Sequence, residues 1–265
     1  MALVVASLLA ASCSRLTFVK ADASRGKSER IAPEYKLRDE PRDAGPALAV
    51  RHAMLAEQRL RTGQIDAAER EVRLALKADP GSTTALTLVA MIDEQRGRAD
   101  SAGAHYAKAA ELAPRSGAML NNYGAWLCGN GRAAESMQWF DRALADPGYR
   151  ARASALANAG ACALKSSESG RVERDLQAAL ALDPDNPVAL AALAEQRLRT
   201  GRFLEARAFS ERRLAAAPAT APVLLLASQI ETELGDNAAA ARYVQRLDRE
   251  FSQSRTTQSG DRSPP

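Results

Sequence analysis

The chain has 265 residues, 46% hydrophobic but only 5% aromatic, with 36 basic and 32 acidic side chains and a net charge of +4. Ala and Leu dominate the apolar set, which favours helices over strands. The two signs of charge alternate along the chain, so no basic footprint for a nucleic acid is present, and the preponderance of Arg over the six Lys reads as compositional bias.

The first element, residues 1–12 (MALVVASLLAAS), is an apolar stretch of small residues that ends at Cys13. It is too short to span a bilayer as a mature helix and reads as an export signal. Ala10, Ala11 and Ser12 before Cys13 resemble the lipobox of bacterial lipoproteins, in which the Cys thiol is acylated and the signal is cut before it. Leu9 stands one position earlier than in the usual pattern, and no Lys or Arg follows Met1. Cys13 is accordingly expected as the lipidated first residue of the mature chain, with a plain secretory signal and an incidental Cys as the other reading. Residues 13–48, charged and interrupted by Pro33, Pro41 and Pro46, read as a flexible tether, and residues 252–265 as a disordered tail.

Between them the sequence repeats. The nonapeptide LAEQRLRTG occurs at Leu55–Gly63 and again at Leu193–Gly201, a separation of 138 residues, or four periods of 34 with two residues inserted. Glycines recur at Gly63, Gly97, Gly131, Gly201 and Gly235, and prolines at Pro80, Pro114, Pro147, Pro184 and Pro218. Gly is expected between two helices and Pro after the second. The tetratricopeptide signature then fits each unit: Leu86, Val89 and Ala90 with Ala102 and Tyr106 in the second, and Leu120, Tyr123 and Gly124 with Ser136 and Phe140 in the third. A small residue in the first helix admits the second helix closely, and the residue pair one turn apart on that second helix stacks against it. The chain is therefore read as an all-α tetratricopeptide-repeat superhelix of six helix-turn-helix units over residues 49–251. The fourth unit is irregular, and its two extra residues are assigned to the turn Lys165–Gly170 or just before it.

Catalytic material is nearly absent. His52 and His105 lie singly inside repeat helices, with no paired-His motif and no Ser-His-Asp pattern, so no enzyme activity, metal or cofactor is expected. Cys128 and Cys162 fall in the first helices of units three and four. In an exported protein they can form a disulfide, and the alternative is two buried thiols.

The acylatable Cys13, the six repeats and the block Leu120-Asn121-Asn122-Tyr123-Gly124, followed by Leu127-Cys128, Gly131 and Cys162, resemble the PilF/PilW family of type IV pilus biogenesis lipoproteins. The resemblance implies a pilotin on the periplasmic face of the outer membrane, held there by its lipid, whose partner is a subunit of the pilus secretin. A periplasmic adaptor that recruits cell-wall hydrolases is the alternative. Partner binding is assigned to the concave surface, lined by the first helices of the repeats. Counting the second, fifth, ninth and twelfth residues of each unit selects Val50, Ala53, Glu57 and Leu60 beside Arg61, then Thr84, Thr87, Met91 and Glu94, and Asn121 in the third unit.

Overall fold

The computed structural model describes residues 45–166 and 168–251, so the signal segment 1–12, the lipidation candidate Cys13, most of the tether and the tail 252–265 lie outside the described residues. The described chain folds into α1 (Pro46–Arg61), α2 (Ile65–Ala78), α3 (Thr83–Gln95), α4 (Ala99–Leu112), α5 (Gly117–Gly129) and α6 (Ala133–Leu144). It continues as α7 (Arg152–Ala163), α8 (Ser169–Leu182), α9 (Pro187–Arg199), α10 (Phe203–Ala216), α11 (Ala221–Glu233) and α12 (Asn237–Phe251). Consecutive helices pair into six hairpins, each packed against the next. This is the all-α tetratricopeptide-repeat superhelix. The array starts at Pro46 rather than residue 49, because a proline in the first helical turn has no N–H to lose there.

Local chemistry sets the helix ends. In the two copies of the nonapeptide the first helix stops before a left-handed glycine, Gly63 at φ 73° and Gly201 at φ 72°, where any Cβ would be strained. Between units, Asp79 Oδ1 accepts the Gly81 N–H at 2.9 Å and the Ser82 hydroxyl oxygen accepts the Ala85 N–H, which turns the chain into α3. Asn186 caps α9 in the same way, accepting the Ala189 N–H at 3.0 Å.

The core runs along the stack as a series of close helix crossings. Ala56, Ala90 and Ala194 are fully buried at the crossings of units one, two and five. Gly124 and Gly160 occupy the same place in units three and four. A Cβ at Gly124 would lie 2.9 Å from the Phe140 ring, and one at Gly160 would lie 2.6 Å from Leu176 Cγ. Both large side chains are fully buried, each stabilising by roughly 1.5–3 kcal/mol through removal from water.

The irregularity of unit four lies elsewhere than expected. Gly160 and Val172 keep the twelve-residue spacing seen between Ala56 and Ala68, so nothing is inserted in the turn after α7. Ala143 and Ala179 are instead 36 residues apart where Ala75 and Ala109 are 34 apart, which puts the two extra residues before Gly160. There α6 ends early and residues 145–151 form a longer connection. It brings Tyr149 into the core against Leu120, Ala143 and Ala155. Gly117 makes room for that ring, since a Cβ there would sit 2.5 Å from Tyr149 Cγ, and its N–H donates to Asp146 Oδ2 at 2.8 Å.

A disulfide bridges the units on either side of this connection. Cys128 of α5 and Cys162 of α7 are joined with their Cα atoms 5.9 Å apart, and the Cys162 sulfur lies 3.0 Å from the buried Ser136 hydroxyl oxygen. With the two cysteines 34 positions apart in sequence, loop closure in the unfolded chain corresponds to about 3–4 kcal/mol on the chain-entropy account. Protein carrying Cys13→Ser should therefore show no free thiol under denaturing, non-reducing conditions. Reduction should lower its urea midpoint by the equivalent of that amount. Two reactive thiols, or an unchanged midpoint, would contradict the clamp.

Candidate functional site

Curvature follows from which helices meet. Each odd-numbered helix approaches the next odd-numbered helix from α1 to α11, whereas among the described residues no two even-numbered helices bring their backbones together. The stack therefore bends with the odd helices inside, and their free faces line the concave surface.

The concave residues selected by counting divide into two groups. Val50 (57% exposed) and Met91 (42% exposed) present apolar side chains to solvent. Glu57, Arg61, Thr84 and Glu94 are also exposed. Glu57 pairs with Arg61 at 2.8 Å, and Glu94 accepts a hydrogen bond from Tyr106 Oη at 2.8 Å. That carboxylate and burial both raise the Tyr106 pKa, burial more strongly.

Ala53, Thr87 and Asn121 are not groove residues. Ala53 is 2% exposed and packs with Ala56, Val72 and Leu88, and Leu60 leans on the same cluster. Thr87 Oγ1 donates to the Thr83 carbonyl at 2.9 Å and reaches Met119 Sδ at 3.2 Å across to α5. Asn121 Oδ1 accepts from Asn158 Nδ2 at 3.0 Å, bonding α5 to α7. In these three units the fifth position contacts the following odd helix instead of lining the groove.

A larger apolar groove opens at the other end of the stack, on α7, α9 and α11, with a volume of about 750 Å³. Its floor is Val188, Ala191, Pro222, Leu225 and Leu226, and Lys165, Glu195, Arg199 and Arg213 supply its polar groups. The signal for it was present in the sequence. The same count carried into units five and six selects Val188, Ala191, Glu195 and Leu198, then Pro222, Leu225, Gln229 and Thr232, and all of these but Thr232 line the groove.

Charged pairs hold the groove helices in place. Arg197 of α9 is buried and donates to Glu173 of α8 from Nη1 and Nη2, each at 2.7 Å, with Glu205 of α10 at 3.2 Å from Nε. The Arg197 hydrogen bond holds the Glu173 pKa down to about 2. Equivalent inter-unit links are Arg96 to Glu69 at 2.9 Å and Arg171 to Asp141 at 2.7 Å. The two histidines pair locally, His52 Nδ1 with Glu71 at 2.7 Å and His105 Nδ1 with Asp93 at 3.0 Å. Among the described residues, no group of three or more His, Cys, Asp or Glu is placed to hold a metal ion, and no helix is long and apolar enough to cross a membrane.

No family model matches the chain. In sequence it is 26% identical over 214 residues to the type IV pilus assembly protein PilF of Pseudomonas aeruginosa, spanning 81% of this chain and 82% of that protein. In structure it is similar to PilW, a widely conserved type IV pilus biogenesis factor, at 32% identity and TM-score 0.66, over 77% of this chain and 94% of that one. The solved structure of Pseudomonas aeruginosa PilF gives TM-score 0.62 at 24% identity, over 77% and 92% of the two chains. A tetratricopeptide-repeat protein of Thermus thermophilus gives TM-score 0.57 at 24% identity, over 70% and 98%, a likeness of fold.

The duplicated nonapeptide supplies an internal control for the charged pairs. Arg59 and Arg197 occupy the same place in it, but Arg59 is exposed and Arg197 buried. Arg197→Ala should cost about 1–3 kcal/mol, discounted because Glu173 and Glu205 are half-exposed. Arg59→Ala should stay within about 0.5 kcal/mol. Because the folded Glu173 pKa is depressed, its contribution is complete above its ordinary 4.5 and is lost as the pH falls to about 2. Urea midpoints measured across that window should fall more steeply for the native protein than for Arg197→Ala, and parallel curves would refute the assignment.

Proposed function

Because the chain belongs to the PilF/PilW-like family of tetratricopeptide-repeat proteins of type IV pilus biogenesis, we propose that it acts as a pilotin, assisting the pilus secretin to multimerise in the outer membrane. Cys13 anchors it by lipid to the periplasmic face, and the multiple acyl chains of a bacterial lipoprotein make that anchoring stable where a single chain would bind only marginally. The concave surface of the repeats holds a segment of the secretin subunit. The observation that carries this reading is the apolar groove on the odd helices α7, α9 and α11, in which Val188 and Leu225 stay exposed. Helical-repeat stacks present extended concave surfaces of this kind to peptide segments.

The exposed positions decide which substitutions are informative. Glu at Ala53 would enter the α1–α2–α3 core and report on folding, whereas Val50 and Met91 point to solvent. The double variant Val50→Glu/Met91→Glu should keep native helicity and membrane attachment yet lose heat-resistant secretin multimers and surface pili. Cys13→Ala should move the protein out of the membrane fraction. Normal multimers in a full deletion would contradict the pilotin reading.

A further inference from the structure

Burying a charge is costly unless an opposite charge or dense hydrogen bonding compensates it. Among the described residues the buried charged side chains are Asp93, Asp175, Arg197, Arg213 and Glu231. Asp93 faces Arg98 at 2.6 Å, Asp175 faces Arg171 at 2.9 Å, and Arg197 faces Glu173 at 2.7 Å. Glu231 accepts from Arg207 Nε at 3.0 Å.

Arg213 is different. Only 8% exposed, its guanidinium donates to main-chain carbonyls alone, at 3.1 Å to Ala217 and 3.4 Å to Pro218. No carboxylate among the described residues pairs with it. It also forms part of the wall of the groove on α7, α9 and α11. Lys165, on the same lining, likewise has no carboxylate partner among the described residues, and the Arg199 beside it is engaged by Glu195. The groove thus combines an apolar floor with an excess of two cations, one of them buried.

We propose that this groove binds an extended peptide segment of a partner protein, apolar along its length and carrying one acidic side chain that pairs with Arg213. Three successive helices spaced roughly 8–10 Å apart give a track of about 16–20 Å. An extended chain rising about 3.3 Å per residue covers that track with about six residues. Apolar side chains at alternate positions meet Val188, Ala191 and Leu225, while the carboxylate reaches Arg213. The proposal rests on reading the concave face as the docking surface and not on which protein supplies the segment. Its test can therefore fail while the deletion phenotype of the pilotin reading stands.

The test is a titration of the purified protein with synthetic eight-residue peptides, acetylated and amidated, with leucines alternating with serines and one central Asp. An Asn-for-Asp peptide and an Asn peptide with a free C-terminal carboxylate serve as companions. The Asp peptide should bind at least about tenfold more tightly than the blocked Asn peptide. Arg213→Gln should abolish that preference, and Leu225→Glu should abolish binding of both. Should Arg213→Gln lose its helicity, Arg213→Met, which fills the same space without a buried charge, carries the same test and should remove the preference. Equal binding of Asp and blocked Asn peptides, or a preference unchanged in these variants, would overturn the proposal. So would tightest binding of the free-carboxylate Asn peptide, since that assigns recognition to a chain terminus.

Discussion

Two helices of one repeat can approach only as closely as the residue at their crossing permits, and the rest of this molecule depends on that distance. Ala56, Ala90 and Ala194 hold it in three units. Gly124 and Gly160 hold it where the opposing side chain is Phe140 or Leu176, because even a Cβ would then collide. Once each hairpin is closed, it leaves an apolar face that only the next hairpin can cover, so stability accumulates between neighbours along the stack. The odd helices approach one another while the backbones of the even ones do not, the stack bends around them, and the concave surface follows from the same packing.

Much of the fold was legible because the constraint recurs. A small residue about every 34 positions, a glycine at the internal turn of five units and a proline between successive hairpins are local requirements of one supersecondary unit, and each leaves a residue in the sequence. The insertion was harder to place, since the period alone says that two residues were added and not where. The register of Ala143 against Ala179, and the burial of Tyr149 over Gly117, locate it before α7.

The candidate site was legible in position but not in exposure. Counting along the unit picks the concave face, yet whether a fifth position opens or closes depends on which side chain of the following odd helix meets it. Ala53, Thr87 and Asn121 are closed, while Leu225 is 47% exposed. The duplicated nonapeptide makes the same point in one pair of residues. Arg197 finds Glu173 on the preceding hairpin and is buried, and Arg59 in the first described unit has no such neighbour and stays in solvent. Identical sequence gives different structure here because the determinant is a contact between units.

Stiffness and recognition are coupled in this arrangement. The disulfide between α5 and α7 and the charged links from Arg96, Arg171 and Arg197 fix neighbouring hairpins relative to one another, which pre-forms a groove at the far end of the stack. The central functional claim is that this concave surface, and not the outer face, contacts the secretin. The most direct measurement places a photo-crosslinking amino acid in cells at Leu225 on α11 or at the exposed Leu74 on α2. Secretin adducts from Leu225 and none from Leu74 are the predicted result, and adducts from Leu74 alone, or from neither position, would contradict it.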